Sequence, residues 1–451
     1  MDGSPSRDSG PAERDGGSGG IAEFRTPLLV LTALVGLLFL FGSWLLLRSP
    51  EDVRNEDAGF VVDERPGKPA ARPAEKKRIA WPMFGFDRAR TRNLQVTGVR
   101  PPFKTIWKYE AGVLLEFPPV YARGRLYLID NDARLKSLDP DTGKVLWERR
   151  IGRLNASSPA FHRGFLYVVN LEPGQVLKIR ARTGKTVWKR SLPGRSESSP
   201  LVRGRTVFFG CENGELFALD TRNGRTRWST YLGGAVKSAP ALSKGILYVG
   251  DYGGKMNAVN ARTGRVKWQS DSLGSGFGSG GAFYSTPAVA FGRVFAGNND
   301  SRVYSYDVED GTLAWSFSTG GYVYSGPAVT ASKRTPPTVF IGSFDSNIYA
   351  LNAKTGGVRW SKPVGGQVIG SLTVIGEIVY IAEFTNTTTF GFDVKSGRKV
   401  FRYKTGTYSP VISDGRRIYL TGYSSLQALD PVERKPGIKQ LRPGARGAKQ
   451  G

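Results

Sequence analysis

From residue 81 onward, short apolar runs alternate with turns rich in Gly, Asn and Asp, which is the pattern of a β-meander rather than of helices. LYLI (126–129), LYVV (166–169), VFFG (207–210) and LYVG (247–250) are aromatic-rich strands of this kind. Each is preceded by a shorter apolar strand that a Ser-Pro or Ser-x-Pro step opens, as at Ser158-Pro159, Ser199-Pro200, Ser285-Thr286-Pro287 and Ser409-Pro410. A polar turn, a third strand such as LFALD (216–220), a Thr-Gly turn and a fourth strand carrying tryptophan complete the unit.

The unit repeats. DPDTGKVLW (139–147), ARTGKTVW (181–188), DTRNGRTRW (220–228), NARTGRVKW (260–268), DVEDGTLAW (307–315), NAKTGGVRW (352–360) and DVKSGRKVF (393–401) align without gaps in the turn. Counted from Trp107, the closing aromatics fall 40, 41, 40, 40, 47, 45 and 41 residues apart. A four-stranded unit of this length has the size of a propeller blade. The predicted fold is therefore all-β, an eight-bladed β-propeller over residues 81–430, with seven blades as the alternative. Eight requires that Pro118-Pro119 and Gly370-Ser371 be degenerate openings. It also requires that the orphan strand FKTIWKYE (103–110) supply the outer strand of the last blade, which ends at LQALD (426–430) with no tryptophan strand behind it. Closing the ring so leaves no unpaired edge at the seam. GSGFGSGG (274–281) lacks the Lys-Ser/Thr of a phosphate loop and is read as an insertion in the fifth unit.

Ahead of the repeat, residues 1–24 are short and polar and are expected to be a disordered tail. Residues 26–47 contain an uncharged run from Pro27 to Leu47, long enough as a helix to cross a bilayer core of about 30 Å. It is expected to be one uncleaved transmembrane helix, because no small-residue cleavage site follows it. Residues 48–80 mix both charges with Pro66, Pro69 and Pro73 and are expected to be an extended linker; residues 431–451 form a basic tail. This arrangement predicts a single-pass protein of the cytoplasmic membrane with a monomeric propeller on the extracytoplasmic side.

Charge then changes the picture. The formal net charge is +26, and the excess falls within the repeat and the C-terminal tail. In a four-stranded meander the first–second and third–fourth turns share one face, and those turns hold Arg123, Arg125, Arg203, Arg205, Arg222, Arg225, Arg262 and Arg265. They are candidates for binding an anionic surface, either lipid headgroups or a wall polymer. The opposite face receives interblade loops whose Phe277, Phe283, Tyr284, Tyr322 and Tyr324 are candidates for contacting a protein partner. The entry strand and the last strand both meet the basic face, so tether and tail are expected to emerge together there. Nucleic acid is not an expected partner, since no recognition motif accompanies the basic residues.

Residue chemistry narrows the function further. One cysteine, Cys211, excludes an intramolecular disulfide and any CxxC or CxxCH motif, and one histidine, His162, excludes histidine-based triads and metal sites. Cys211 follows VFFG and is read as an inert, half-buried thiol. Asp130, Asp132, Glu212, Asp251, Asp300, Asp345 and Glu383 lie in second–third strand turns, where carboxylates are ordinary turn formers.

At the turn-and-tryptophan segments the chain resembles the quinoprotein-like propeller repeat, A-x-D-x-x-x-G-x-x-x-W, over nearly everything after residue 80. The resemblance implies that Trp107, Trp147, Trp188, Trp228, Trp268, Trp315 and Trp360 dock between neighbouring blades. Two groups carry this repeat: PQQ-dependent alcohol dehydrogenases and the non-catalytic propeller of the outer-membrane β-barrel assembly machinery. The dehydrogenases resemble one another in an adjacent cysteine pair beneath the quinone and a calcium site of Glu, Asn and Asp; here Cys211 stands alone. The assembly protein is lipidated on an N-terminal cysteine, which this chain lacks near its apolar run. The expected function is thus a membrane-anchored, non-catalytic scaffold for a protein or envelope component, with no catalytic, metal or cofactor-binding residues; the alternative is a PQQ-dependent oxidoreductase.

Overall fold

The computed structural model describes residues 50–62, 78–274, 280–408 and 410–432. The chain divides into Met1–Pro50 and Glu51–Gly451, and the second unit is the one described below. The expected transmembrane run lies outside the described residues. Among the described residues no helix is long and apolar enough to cross a membrane.

Every regular element among the described residues is a strand, and the strands form eight sheets. Each sheet is a meander from an innermost to an outermost strand; in blade one these are Val120–Ala122, Arg125–Ile129, Arg134–Leu138 and Val145–Arg150. Blades two to eight begin at Ala160–His162, Leu201–Arg203, Ala241–Ser243, Ala288–Ala290, Ala328–Thr330, Thr373–Ile375 and Ile412–Ser413. Blade eight closes as the repeat count requires: Phe103–Glu110 pairs antiparallel with Ser425–Pro431, from Phe103 opposite Pro431 to Glu110 opposite Ser425. The ring has eight blades, not seven.

The apolar core lies between blades, because each sheet buries both faces against its neighbours. One cluster joins Tyr127, Ile129 and Leu135 of blade one to Leu166, Val168 and Ile179 of blade two. Over seven of the eight outer seams sits an indole. Trp107, Trp147, Trp188, Trp228, Trp268, Trp315 and Trp360 donate their Nε1–H to the carbonyls of Pro140, Ala181, Thr221, Ala261, Val308, Ala353 and Val394 in the next blade, at 3.0–3.3 Å. The glycine of that blade's third–fourth turn lies flat under the ring. At Gly397, φ is +66° and a Cβ would stand 2.7 Å from the Trp360 ring, so only glycine fits there. Blade eight has no third–fourth turn, since its outer strand arrives from the other end of the domain. The seam facing it therefore offers no glycine platform, and Phe401 replaces tryptophan there, edge-on to Phe103 at 5.4 Å.

Two segments depart from the expected layout. Residues 51–62, expected as part of a free spacer, are strapped along blade five beside its outermost strand Leu313–Ser318. Asn55 N–H donates to Ala314 O at 2.7 Å and Ser316 N–H to Val53 O at 3.0 Å, while Ala58 and Phe60 pack on that blade's core. The strap begins at the interblade-loop end, where the Asp52 carboxylate accepts from Ser318 Oγ at 2.8 Å. It ends at the first–second turn, where Val61 N–H reaches Phe291 O. Asp52 and the end of the last strand, Pro431, thus lie on opposite faces; the expected tether and tail themselves lie outside the described residues.

The second departure closes the channel. Residues 81–94 run across it and accept the inward N–H groups of the innermost strands: Phe161 to Pro82 O, Leu242 to Arg88 O, Val289 to Ala89 O, Val329 to Thr91 O and Val374 to Arg92 O, all at 2.7–3.0 Å. Without this segment those donors would face the channel unpaired, a cost of about 1–3 kcal/mol each if dry.

Candidate functional site

The plug turns one end of the channel into a shallow, lined funnel that opens on the interblade-loop face. Two fully buried guanidinium groups hold the plug in place. Arg90 donates through Nε to Pro240 O at 3.0 Å and through Nη2 to Ser199 O at 3.0 Å, and also bonds Phe84 O. Arg92 donates to Arg90 O at 2.8 Å, Pro327 O at 3.0 Å and Thr286 O at 3.3 Å. Outside the plug the acceptors belong to the Xaa-Pro steps that open successive blades, Ser199-Pro200, Ala239-Pro240, Thr286-Pro287 and Gly326-Pro327, so the repeat supplies a set of carbonyls and the plug supplies its cations. Burial pushes both guanidinium groups down to about 9, which leaves them charged at neutral pH.

Above this floor, Phe84, Phe117, Tyr284, Tyr324 and Tyr408 wall a cavity of about 70 Å³, with Glu116, Glu197 and Lys237 among its lining. Tyr284 meets Tyr324 edge-on at 5.5 Å, and Tyr324 meets Phe344 at 4.9 Å. Lys237 Nζ lies 2.9 Å from Glu197 and 3.6 Å from Glu212, and 5.4 Å over the Tyr252 ring. Glu116 has its acidity weakened first by burial and then by Glu197, partly offset by an Asn131 hydrogen bond and by Lys237. Burial likewise raises Tyr252, Tyr284 and Tyr408, and the neighbouring carboxylates Glu116, Glu197 and Glu212 add to it. The mouth therefore sets carboxylates against an aromatic wall.

Of the loop aromatics chosen from sequence, Tyr284 and Tyr324 line the funnel, and Tyr322 stands half exposed beside them, 5.9 Å from Tyr324. Phe283 is a correction: it is wholly buried, packed against Tyr304 and Tyr306, and cannot meet a partner. Phe277 lies outside the described residues. Tyr231, Tyr252 and Tyr423 are exposed and belong to the same face by topology, since they sit in interblade loops or second–third turns.

The basic candidates stay on the turn face. Arg123, Arg203, Arg205, Arg222, Arg225, Arg262 and Arg265 are exposed, and Arg125 is half-buried with its guanidinium on Arg182 O at 3.0 Å. They come from the turns of blades one, three and four. Arg222 is partly neutralised by Asp220 at 3.0 Å.

The turn carboxylates do not converge. Asp130 pairs with buried Lys136, Asp251 accepts from Asn257 Nδ2 at 2.8 Å, Asp345 accepts from Tyr349 Oη at 2.6 Å, and Glu383 accepts the backbone N–H of Thr388 at 3.0 Å. Among the described residues no three His, Cys, Asp or Glu side chains gather as a metal would need. Cys211 is fully rather than half-buried; its thiol donates to Arg195 O at 3.3 Å, and burial pushes it up.

Sequence reasoning missed the plug and the funnel's Glu116, Phe117, Glu197, Lys237 and Tyr408. For the plug the available signal was the arginine-rich DRARTRN (87–93), lying outside the 40-residue period; for Glu116, Glu197 and Lys237 it was their register, three residues before a blade-opening proline, the place Tyr284 and Tyr324 also hold.

These features define a closed eight-bladed propeller with tryptophan-docked seams and a plugged channel. The family model described as outer membrane protein assembly factor BamB matches residues 95–238, 231–334 and 325–431, and the chain belongs to that family. Curated relatives match over shorter stretches. The outer membrane protein assembly factor BamB of Nitrosomonas eutropha is 32% identical over 101 residues, 22% of this chain and 24% of that protein. The 1-butanol dehydrogenase (cytochrome c) of Thauera butanivorans is 30% identical over 129 residues, 25% of this chain and 18% of that protein. The chain thus spans about a quarter, or less, of the length of these relatives. Among solved structures, BamB from Moraxella catarrhalis aligns with a TM-score of 0.61 at 16% identity, covering 73% of this chain and 99% of that one. Quinohemoprotein alcohol dehydrogenase from Comamonas testosteroni aligns with a TM-score of 0.64 at 14% identity, covering 83% and 84%. At these identities the likeness is one of fold.

Proposed function

We propose that this propeller is a non-catalytic binding module of the cell envelope, tethered by the apolar run 26–47, which docks a protein partner on its interblade-loop face. The observation that carries the reading is the plugged channel. Residues 81–94 fill the space around the axis with backbone and two buried guanidinium groups that donate to backbone carbonyls. What is left is a funnel of about 70 Å³, well short of the roughly 300 Å³ from which small-molecule sites begin. A quinone with its calcium does not suit these residues: among the described residues the funnel has no cysteine in its lining, and no three His, Cys, Asp or Glu side chains gather as a metal would need. Aromatic side chains at the rim of a rigid disc supply large contact area at low entropic cost. Family membership supports an envelope role of this kind.

Photocrosslinking in intact cells tests the reading. A crosslinking residue at Tyr322 or Tyr423 is expected to give a discrete adduct with an envelope protein, and one at Arg262 is not. Adducts confined to Arg262 would overturn the choice of face. Retention of PQQ by the purified protein in calcium, with dye reduction by alcohols, would overturn the non-catalytic reading.

A further inference from the structure

We propose that the funnel is a cage for one arginine side chain presented by the docked partner. The inference rests on the loop face being the docking face and names what it recognises. Size sets the first limit: a cavity of about 70 Å³ falls well short of the roughly 300 Å³ from which small-molecule sites begin, and suits the head of one side chain better than a sugar or nucleotide ring.

Chemistry sets the second. Tyr284, Tyr324, Tyr408 and Phe117 offer ring faces and edges around the cavity, while Glu116 and Glu197 place carboxylates in the same wall. Rings with carboxylates are the usual surroundings of a desolvated cation. The protein already contains an example at the rim: the Lys237 ammonium is held between Glu197 and Glu212 over the Tyr252 ring. That lysine neutralises part of the wall, yet Glu116, Glu197 and Glu212 outnumber it. Arg90 and Arg92 lie beneath Phe84, 5.9 and 5.3 Å from its ring centroid, with their N–H groups turned to backbone carbonyls rather than to the cavity.

Arginine suits this wall better than lysine. A guanidinium is planar, weakly hydrated and stacks on aromatic faces, and it meets a carboxylate through two parallel hydrogen bonds. Lysine would have to lose a tighter hydration shell to enter the same space.

Saturation-transfer NMR on the full-length protein in micelles tests this with two probes of one shape, acetyl-arginine amide and its uncharged analogue acetyl-citrulline amide. The arginine probe is expected to bind in the millimolar range and the citrulline probe roughly tenfold more weakly, the discrimination a charge-assisted pair confers. Glu116→Gln, close in shape to the native side chain, is expected to erase that preference, and Arg262→Ala on the opposite face to leave it intact. Equal binding of both probes to the wild type would overturn the cage, as would a preference that survives Glu116→Gln. The docking reading fails separately, on loss of the Tyr322 crosslink. A Tyr322 adduct that forms in a protein blind to the arginine probe would refute the cage alone.

Discussion

A buried tryptophan contributes in three ways at the blade seams: apolar area, one indole hydrogen bond and a flat surface that a turn must match. Trp360 shows all three, with its N–H on Val394 O and its ring against Gly397. Trp360→Ala should cost about 3–5 kcal/mol, as large-to-small changes of buried aromatics do. Gly397→Ala should cost more than the roughly 1–2 kcal/mol of a left-handed alanine, because its Cβ would also meet the ring. In the Trp360→Ala background only the backbone penalty should remain, so urea unfolding of the double variant is expected to show a favourable coupling. Additive losses would mean that ring and turn do not bear on each other. The carboxyl of Glu116 makes the opposite case, a side chain the fold tolerates. Its folded pKa is raised by burial, so the contribution of its protonated form is fully present below the ordinary carboxylate range. That contribution is lost as pH rises through the raised value. Glu116→Gln should therefore raise the melting temperature at neutral pH and leave it nearly unchanged near pH 4. Trp360 was legible in the sequence because it recurs every 40-odd residues; Glu116 was not, because its place, three residues before a blade-opening proline, is held by Glu197, Lys237, Tyr284 and Tyr324 in other blades, a shared register without a shared residue type.

At the scale of elements, strand alternation alone misplaces the tryptophans. In every outermost strand one residue bulges just before the closing aromatic: Trp147 lies opposite Ser137 and Val145 opposite Leu138, leaving Leu146 over. The bulge re-aims the indole toward the next blade and turns the extra residue outward, which is why Leu146 and Val187 are 45% and 44% exposed. Ala314 holds the same position in blade five yet is buried, because the strap 51–62 lies over it. Bulge and strap were both hidden in the sequence: one extra residue leaves the 40-residue period intact, and an acidic, aperiodic segment reads as linker. The closing strand was legible, since a tryptophan strand without its blade at one end matched a blade without its tryptophan strand at the other. Deleting Phe103–Glu110 should expose the edge of Ser425–Pro431 and remove Trp107, whose indole bonds Pro140 O. The expected product is a destabilised protein that self-associates through the open edge, read by light scattering and thermal melting. A monomer of undiminished stability would contradict the pairing seen between Phe103–Glu110 and Ser425–Pro431.

At the scale of the whole molecule the disc is polar across its thickness. The loop face carries aromatic rings and the carboxylates of the funnel, while the turn face carries arginines from blades one, three and four with few acidic partners. The sequence disclosed this second face directly, because turns occupy fixed places in the repeat; it could not disclose the first, whose character depends on a plug from outside the repeat. Exposed cations of this kind act through the ionic atmosphere rather than through fitted contacts, each contributing about 1 kcal/mol beside an anionic surface and less as salt rises. The purified domain is therefore expected to sediment with vesicles containing phosphatidylglycerol and not with neutral ones, and to be released as sodium chloride is raised from 50 to about 500 mM, where the screening length falls to a few ångströms. Replacing Arg203, Arg205, Arg262 and Arg265 together by Gln should abolish sedimentation, whereas Glu116→Gln on the opposite face should not weaken it. Binding that ignored lipid charge, or that survived loss of the four arginines, would assign the basic face to solubility alone and leave the loop face as the molecule's one working surface.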